Sequence, residues 1–346
     1  MNEEQHSLSH ALLTWYDENK RHLPWRDAAT PYHVWISEVM LQQTQVETVI
    51  PFYHRFLEEV PSLYHLANLE TSQLLKLWQG LGYYRRAIKL LEAAQIIVKQ
   101  FEGNMPSDVE VLMSLPGIGG YTARAIASIA FGKPYIALDG NIKRIASRLF
   151  LIEEANTSAI FKKIATDAFQ EIISHRRPGD FNQALMDLAN RFCLKNRSPL
   201  CSKCPIKSFC KANHEGTVDQ YPKVIMKAKR REESKTVLLI VYKGFLAINK
   251  RPSKGLLAQL YEPITLEGNK DDKDILTFLS KEKLTITSIK NLETLRYHFS
   301  HLSWRLKCVK IEVTSSNKQW IWANWDDLNN TYPLLTAALK CIRHIL

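Results

Sequence analysis

No stretch of this chain approaches the ~18 consecutive apolar residues that a membrane-spanning helix requires; the longest runs are of the size of Val237-Leu238-Leu239-Ile240-Val241. A transmembrane helix is excluded on that count. The opening Met1-Asn2-Glu3-Glu4-Gln5-His6 lacks the basic, apolar and small-residue regions of a signal peptide, so a cytoplasmic location is expected. Cysteine is scarce, with 6 in 346 residues, four of them gathered between 193 and 210. A dispersed disulfide framework is thereby ruled out, since cytosolic thiols stay reduced. Repeats at solenoid spacing and low-complexity tracts are both missing. Acidic residues are also in deficit, 35 against 46 Lys and Arg, for a formal charge of +11. An anionic partner follows, nucleic acid first and a membrane surface second. The excess is uneven: residues 1–216 hold 24 Lys and Arg against 22 acids, and residues 217–346 hold 22 against 13.

What is present is a globular composition, 45% hydrophobic and 23% charged, in a chain long enough for about two domains. From Leu8 to about Asn213 apolar residues recur at three- and four-residue spacing, broken by proline and glycine. Leu8, Leu12, Trp15 and Tyr16 mark a first helix, and further helices are expected at about 32–47, 71–79, 84–101, 107–114, 121–131, 141–150, 158–174 and 180–192. This part, 1–216, reads as all-α. Residues 217–235 are densely charged with little periodicity and read as a basic linker. Beyond it, 236–346 reads as α+β: strands at 236–242 and 245–249 flank Lys243-Gly244 as a hairpin, more strands cross 296–314, and 272–281 and 334–345 look helical.

The four clustered cysteines, Cys193, Cys201, Cys204 and Cys210, follow C-x7-C-x2-C-x5-C. Four thiolates in one segment offer a full tetrahedral donor set for zinc or for an iron–sulfur cluster. Zinc sites usually pair two short knuckles, and only Cys201 and Cys204 form one, which favours a [4Fe–4S] cluster over Zn. Lys195, Arg197, Lys203 and Lys207 lie between the ligands, so a pinned loop would present cations to phosphates. Cys308 and Cys341 read as core residues.

Ser107-Asp108-Val109-Glu110 reads as a capping box that opens a helix. That helix ends at Leu115-Pro116-Gly117-Ile118-Gly119-Gly120, and Tyr121-Thr122-Ala123-Arg124 starts another, giving a helix–hairpin–helix over 107–131. Gly117 and Gly119 would let backbone N–H groups approach a phosphate without a Cβ in the way. Glu38 sits in a helical segment between Trp35 and Leu41, surroundings that would raise its pKa and keep it protonated. Asp139 precedes Gly140-Asn141-Ile142, where a helix restarts, so it can cap that helix and stay ionised. A neutral acid and an anion are the pair that glycosidic chemistry requires.

In combination these motifs resemble the adenine DNA glycosylases of the MutY type, within the helix–hairpin–helix glycosylase superfamily. The resemblance runs through Trp15-Tyr16-Asp17, Leu23-Pro24-Trp25-Arg26, Ser37-Glu38-Val39-Met40-Leu41-Gln42-Gln43-Thr44, Gly80-Leu81-Gly82-Tyr83-Tyr84, the hairpin, Leu138-Asp139-Gly140-Asn141 and the cysteines. It implies removal of adenine mispaired with 8-oxoguanine or guanine from double-stranded DNA, by a monomer, as a step of base excision repair. By the same resemblance Glu38 would protonate N7 of the flipped adenine, Asp139 would stabilise the oxocarbenium-like sugar, and Tyr121 and Asn141 would complete the centre. Arg26 and Gln183 would contact the adenine, Trp25 and Leu41 would line its pocket, and Gln43, Thr44 and Tyr83 would wedge into the duplex. The second domain would be Nudix-like, with Phe299, Ser300 and His301 reading 8-oxoguanine.

Endonuclease III, a relative within the superfamily, carries a Schiff-base lysine directly after the hairpin. Here that place is Tyr121, which forms no imine, so a monofunctional enzyme is expected, with Lys143 an incidental aldehyde trap at most. The G-x5-E-x7-R-E-x2-E-E box of Nudix hydrolases is absent, so recognition without hydrolysis is expected. Two departures from the family pattern stand out: one extra residue between Cys193 and Cys201, and the segment Leu256-Leu257-Ala258-Gln259-Leu260-Tyr261-Glu262-Pro263, which departs from the usual Trp-Glu-Phe-Pro.

Overall fold

The computed structural model describes residues 3–195, 197–223, 230–299 and 302–343. In chain order the helices are α1 (Glu3–Asn19), α2 (Pro24–Asp27), α3 (Pro31–Leu41), α4 (Val46–Glu59), α5 (Leu63–Ala67), α6 (Thr71–Leu77), α7 (Arg85–Phe101), α8 (Val109–Ser114), α9 (Gly120–Ile129), α10 (Gly140–Phe150), α11 (Ala159–Gln170), α12 (Pro178–Arg191) and α13 (Lys211–His214). There follow β1 (Arg231–Tyr242), β2 (Phe245–Lys250), β3 (Tyr261–Glu267), α14 (Asp272–Lys281), β4 (Ile286–His298), β5 (Leu302–Val313), β6 (Ile321–Ala323), α15 (Trp325–Asn330) and α16 (Thr336–Ile342). Among the described residues no helix is long and apolar enough to cross a membrane.

The chain divides into two compact units, Met1–Ala67 with Glu92–Lys227, and Asn68–Leu91 with Ala228–Leu346. Residues Asn68–Leu91, counted with the first domain on sequence, thus cluster with the second. The bonds that hold them there are polar. Lys76 Nζ donates to the carbonyls of Leu328 and Tyr332, 3.2 Å each, capping the C-terminal end of α15 with a cation. Tyr84 adds a side-chain hydrogen bond to Thr336.

In the first unit, helix starts follow local chemistry. Thr30 caps α3 through His33 N–H and Pro31 occupies its first turn, where a missing N–H costs nothing. The box expected on Ser107 is displaced by one residue: Asp108 is the cap of α8, its Oδ1 accepting from Glu110 and Val111 at 3.0 Å. The helix expected over 32–47 is two, α3 and α4, separated by a turn in which Gln43 adopts φ 61. Leu12, Tyr16, Ile145, Leu149, Phe161, Phe169, Phe181 and Leu185 form a core joining α1, α10, α11 and α12.

Helices α9 and α12 meet backbone to backbone. A Cβ built on Gly179 would lie 2.8 Å from Ile129 Cα and 2.9 Å from Ser128 O, so no larger residue fits without movement. One turn on, Asn182, fully buried, accepts from Ala137 N–H (2.8 Å) and donates to Ser128 Oγ (3.0 Å) and Tyr135 O (2.9 Å). The segment leading into Asp139 is thereby fixed to α12.

The second unit holds a six-stranded mixed sheet in the order β4-β5-β1-β3-β2-β6. Strands β1 and β5 pair in parallel from Arg231↔Leu302 to Val241↔Glu312, and β1 turns into β2 through Lys243 (φ 48) and Gly244 (φ 83), the two left-handed residues of a type I′ hairpin. That hairpin is where the residue pattern put it. Strand β1 starts at Arg231, inside the segment read as linker, because residues 231–235 pair in parallel with Leu302–Leu306 of β5. Leu238, Ile240, Val309 and Ile311 pack against Ile275 and Leu279 of α14. Cys308 and Cys341, both fully buried, hydrogen-bond to each other and belong to the core.

Gly179→Ala is expected to lower stability by about 1–3 kcal/mol, read as a shift of the urea midpoint; an unchanged midpoint would contradict the close approach of α9 and α12.

Candidate active site

Five helical elements and one turn deliver side chains to a single cavity of about 1310 Å³ in the first unit. Helix α2 supplies Trp25 and Arg26, α3 supplies Glu38 and Leu41, and the α3–α4 turn supplies Gln43 and Thr44. Tyr121 comes from the first turn of α9, Asp139 and Asn141 from the start of α10, and Gln183 from α12. Ten of the residues named on sequence therefore share one lining.

Glu38 is 5% exposed, and Tyr121 Oη donates to its Oε2 at 2.5 Å. Burial pushes the carboxyl up to about 7, against the Tyr121 hydrogen bond, with the nearby Asp139 charge adding to the rise and Arg26 opposing it. Tyr121, also buried, is held well above its ordinary value of 10 and keeps its proton. Asp139 is the N-cap of α10: Oδ1 accepts from Asn141 N (2.9 Å) and Ile142 N (2.6 Å), and Asn141 Nδ2 donates to Oδ2 at 2.9 Å. The expected cap is there. Yet its carboxyl is raised above the ordinary value, because burial outweighs the cap bonds and the Arg144 charge that favour the anion. Gln43, at φ 61, occupies a region that non-glycine residues seldom adopt, at a turn on the cavity lining.

The hairpin turn behaves as its glycines suggest. Gly117 has φ 79, and Gly119 is the N-cap of α9 with no side chain to cap the first-turn N–H groups; a Cβ there would meet no protein atom within 4 Å. The open space beside Gly119 leaves room for a partner's atoms.

A second, small cavity of about 30 Å³ is lined by Cys193, Cys201, Cys204 and Cys210 together with Ile145, Leu149, Leu188 and Ile206. Arg148 Nη1 donates to Cys193 Sγ (3.2 Å) and Leu194 O (3.1 Å). Burial raises the thiols of Cys201 and Cys210 and pushes Cys204 up to about 12. No three Cys, His, Asp or Glu side chains among the described residues converge to hold a single metal ion.

Residues 36–171 match the model of the HhH-GPD superfamily of base excision DNA repair proteins, and residues 236–344 match the NUDIX domain. An adenine DNA glycosylase of Buchnera aphidicola subsp. Baizongia pistaciae is 35% identical over 92% of this chain and 90% of its own. One from Rattus norvegicus is 33% identical over 96% of this chain and 76% of its own. The chain belongs to the adenine DNA glycosylase family. Its helical part also resembles the solved structure of a thermostable thymine-DNA glycosylase, with TM-score 0.55 and 25% identity over 62% of this chain and 98% of that one.

Two residues of this family member escaped the sequence reading. Asp187, 4% exposed, receives a two-pronged ion pair from Arg26, Nη1 to Oδ2 at 2.8 Å and Nη2 to Oδ1 at 3.0 Å, and also accepts from Arg21 N–H at 3.2 Å. Arg26 Nε is left buried without a hydrogen-bond partner, an open donor on the cavity lining. The four-residue spacing from Gln183, which puts both on one face of α12, was the available signal. Arg144 is the other: Nη2 donates to Asn141 Oδ1 (3.3 Å) and Nε to Cys193 O (2.7 Å), joining the start of α10 to the cysteine segment.

Not all named residues lie in this unit. Tyr83, 44% exposed with φ 50, and Phe299, in ring contact with Tyr297 (4.8 Å) and Trp304 (4.7 Å), belong to the second. Ser300 and His301 lie outside the described residues.

Because the Glu38 carboxyl holds its proton to about 7 when folded and to about 4.5 ordinarily, folding is penalised increasingly as pH rises between those values. Glu38→Gln keeps an acceptor for Tyr121 without the charge. It is expected to be more stable than the native chain by about 3 kcal/mol at pH 8 and equal at pH 4; urea melts at both pH values check this, and equal stability at pH 8 would contradict it.

Proposed function

We propose that the chain removes adenine from mispairs with 8-oxoguanine or guanine in double-stranded DNA and leaves an abasic site. The observation that carries this reading is the pairing across one cavity of a protonated carboxyl at Glu38 with a capped carboxylate at Asp139. Glu38 gives its proton to N7 of the extruded adenine, which lets the C1′–N9 bond break with the electron pair leaving on the base. Tyr121 orients that carboxyl through its short hydrogen bond. Asp139, whose carboxylate two backbone N–H groups, Asn141 and the Arg144 charge favour against burial, stabilises the oxocarbenium-like sugar. Water then forms the C1′–O bond, and its proton restores the acid.

Arg26 and Gln183 contact the adenine, Arg26 through the open Nε donor, while Trp25 and Leu41 enclose it. Gln43, Thr44 and Tyr83 wedge into the duplex, and Gly117 and Gly119 bring backbone N–H groups to a phosphate. Phe299, with Ser300 and His301, reads the opposite 8-oxoguanine. Tyr121 in place of a lysine leaves Lys143, on the cavity lining, as an amine for weak aldehyde trapping at most. The chain acts as a monomer.

Cys193, Cys201, Cys204 and Cys210 suit a [4Fe–4S] cluster better than Zn, since four thiols line one small cavity and only Cys201 and Cys204 form the short knuckle that zinc sites use in pairs. Bound there, the cluster supplies a covalent tie between thiolates of the 193–210 loop. Ligation must release protons from thiols whose pKa values burial has raised, so occupancy is expected to fall at low pH.

Duplexes holding A opposite 8-oxoguanine, A opposite G, and thymine glycol provide the test, each heated in alkali after incubation. Adenine release is expected from the first two, with strand cleavage appearing only after alkali. In single turnover the rate should fall as pH rises through about 7, following Glu38, and Glu38→Gln should lose about 100-fold or more while still binding the duplex. No adenine release from any duplex would sink the proposal, and efficient cleavage without alkali would replace it with a lyase. For the cluster, purified chain should hold about four iron and four sulfide per molecule; zinc without sulfide would select the alternative.

A further inference from the structure

The second unit has a cavity of about 290 Å³ that the proposed chemistry leaves unused. It lies between β1, β4 and β5 beside the first turn of α14, and its walls include Arg305, Lys307, Ser234, Thr294, Asn269 and Asn291. Not one aspartate or glutamate lines it. The sheet register explains how the cations gather. Ser234 pairs with Arg305 and Thr236 with Lys307 on one side, and Arg296 with Arg305 and Thr294 with Lys307 on the other. Arg296, Arg305 and Lys307 therefore stand on a single face of the sheet.

Arg296 directly opposite Arg305 is an arrangement that sheets disfavour, because like charges across a pair of strands repel. Both are exposed. No ion pair of either with a carboxylate is found among the described residues, so nothing within the unit offsets the repulsion. Lys307 is partly engaged, donating to Lys270 O at 2.8 Å and lying 3.9 Å from Asp272 Oδ1, a carboxylate outside the lining. Asn291 also reaches Asp272 Oδ1, at 3.4 Å.

The walls are held in advance. Fully buried Thr236 donates to Gly268 O (2.9 Å) and accepts from Lys270 N–H (2.8 Å), and Gly268 N–H donates to Ser234 O (2.9 Å). Gly268 takes φ 83 to make that turn. On the opposite wall the β4–β5 register slips between Asn291 and Thr294, a bulge that re-aims the side chains around it.

We propose that this cavity binds a phosphate group, with Arg305 and Lys307 as its charges and the hydroxyls and amides of Ser234, Thr294, Asn269 and Asn291 as neutral donors. Phosphate oxygens only accept hydrogen bonds, so a pocket of donors without carboxylates suits them, and a guanidinium engages two at once. The phosphate belongs either to the backbone of a bound duplex or to a free nucleotide. The first source rests on the reading of Phe299 given above. Phe299 and Leu302 close the β4–β5 turn through an N–H to O bond, and at ~3.3 Å per residue Arg305 and Lys307 lie about 10 and 17 Å along β5 from it. A strand read at that turn would lay its next phosphates along this face.

Duplex binding by the full chain as a function of salt tests the first source, and the thermal midpoint with dGMP or inorganic phosphate tests the second. The native chain is compared with Arg305→Gln/Lys307→Gln and with Lys254→Gln/Lys318→Gln, which removes equal charge from exposed positions elsewhere in the unit. A loss of about 2 in the slope of log K against log salt, confined to the first double variant, assigns a duplex phosphate. An unchanged slope with a dGMP- or phosphate-induced rise in the native midpoint that this variant lacks assigns a free phosphate. If the two double variants behave alike in both measurements, the proposal is overturned. Should the first fail to fold, Thr294→Glu, which puts a carboxylate on the same wall from an exposed position, makes the same comparison. None of these readings requires adenine release, so they stand or fall apart from the glycosylase assignment.

Discussion

The chemistry proposed for the 1310 Å³ cavity depends on keeping one carboxyl group away from water. A glutamate in an open cleft would titrate near 4.5 and could not hold a proton at neutral pH. Glu38 does so because the middle of α3, not an end, carries it, with Val34, Trp35 and Val39 buried around it. The phenol of Tyr121 is then an economical partner: it hydrogen-bonds to the carboxyl without the positive charge that would drag the pKa back down. A lysine at that position would do the opposite. The choice between tyrosine and lysine after the hairpin thus sets the protonation state of the acid as well as the absence of an imine-forming amine.

The role proposed for Asp139 has the contrary requirement, and its place at a helix start works toward it, against the burial that raises its carboxyl. Capping gives the anion two N–H donors without a bound cation. For this to work the segment before α10 must be fixed, and Asn182 fixes it by satisfying the backbone of Ala137 and Tyr135 from inside α12. Asn182 can reach only because Gly179, one turn earlier, lets α12 touch the backbone of α9. Farther along α10, Arg144 and Arg148 run to Cys193 and Leu194, so the loop that holds the cysteines and the helix that Asp139 caps are tied together. Strain or loss in the cysteine loop has a short path to Asp139.

Much of this was legible from residue order alone, for a definable reason. Glycine and proline at Leu115–Gly120, aspartate before Gly140, four cysteines in eighteen residues and the Lys243-Gly244 turn are local signals, complete within a few neighbours. What stayed hidden is what depends on distant partners. Asp187 looks like any helical aspartate until Arg26, 161 residues away, is placed against it. The attachment of Asn68–Leu91 to the second unit rests on Lys76 meeting carbonyls some 250 residues later, and a lysine in an amphipathic helix carries no mark of that. The start of β1 was obscured for another reason: a strand start made of Arg231, Glu232, Glu233 and Lys235 has the same composition as a solvated linker, and only pairing distinguishes them.

The net charge of the first part, nearly balanced, looks at odds with a nucleic-acid partner until its placement is considered. The cavity, at about 1310 Å³, exceeds the roughly 300–1,000 Å³ of small-ligand pockets. The group that lines it beside Trp25, Glu38 and Tyr121 is suited to a desolvated base, but Arg21, Lys143, Arg191, Lys195 and Arg197 line it too. A uniformly basic cavity would depress the pKa of Glu38 and ionise the acid. A uniformly apolar one would have nothing to offset the charge of a phosphate. Near-neutrality overall, with Arg26, the cation that opposes the rise at Glu38, itself paired with Asp187, satisfies both requirements at once, and it explains why charge counting over 1–216 says so little about what this unit binds.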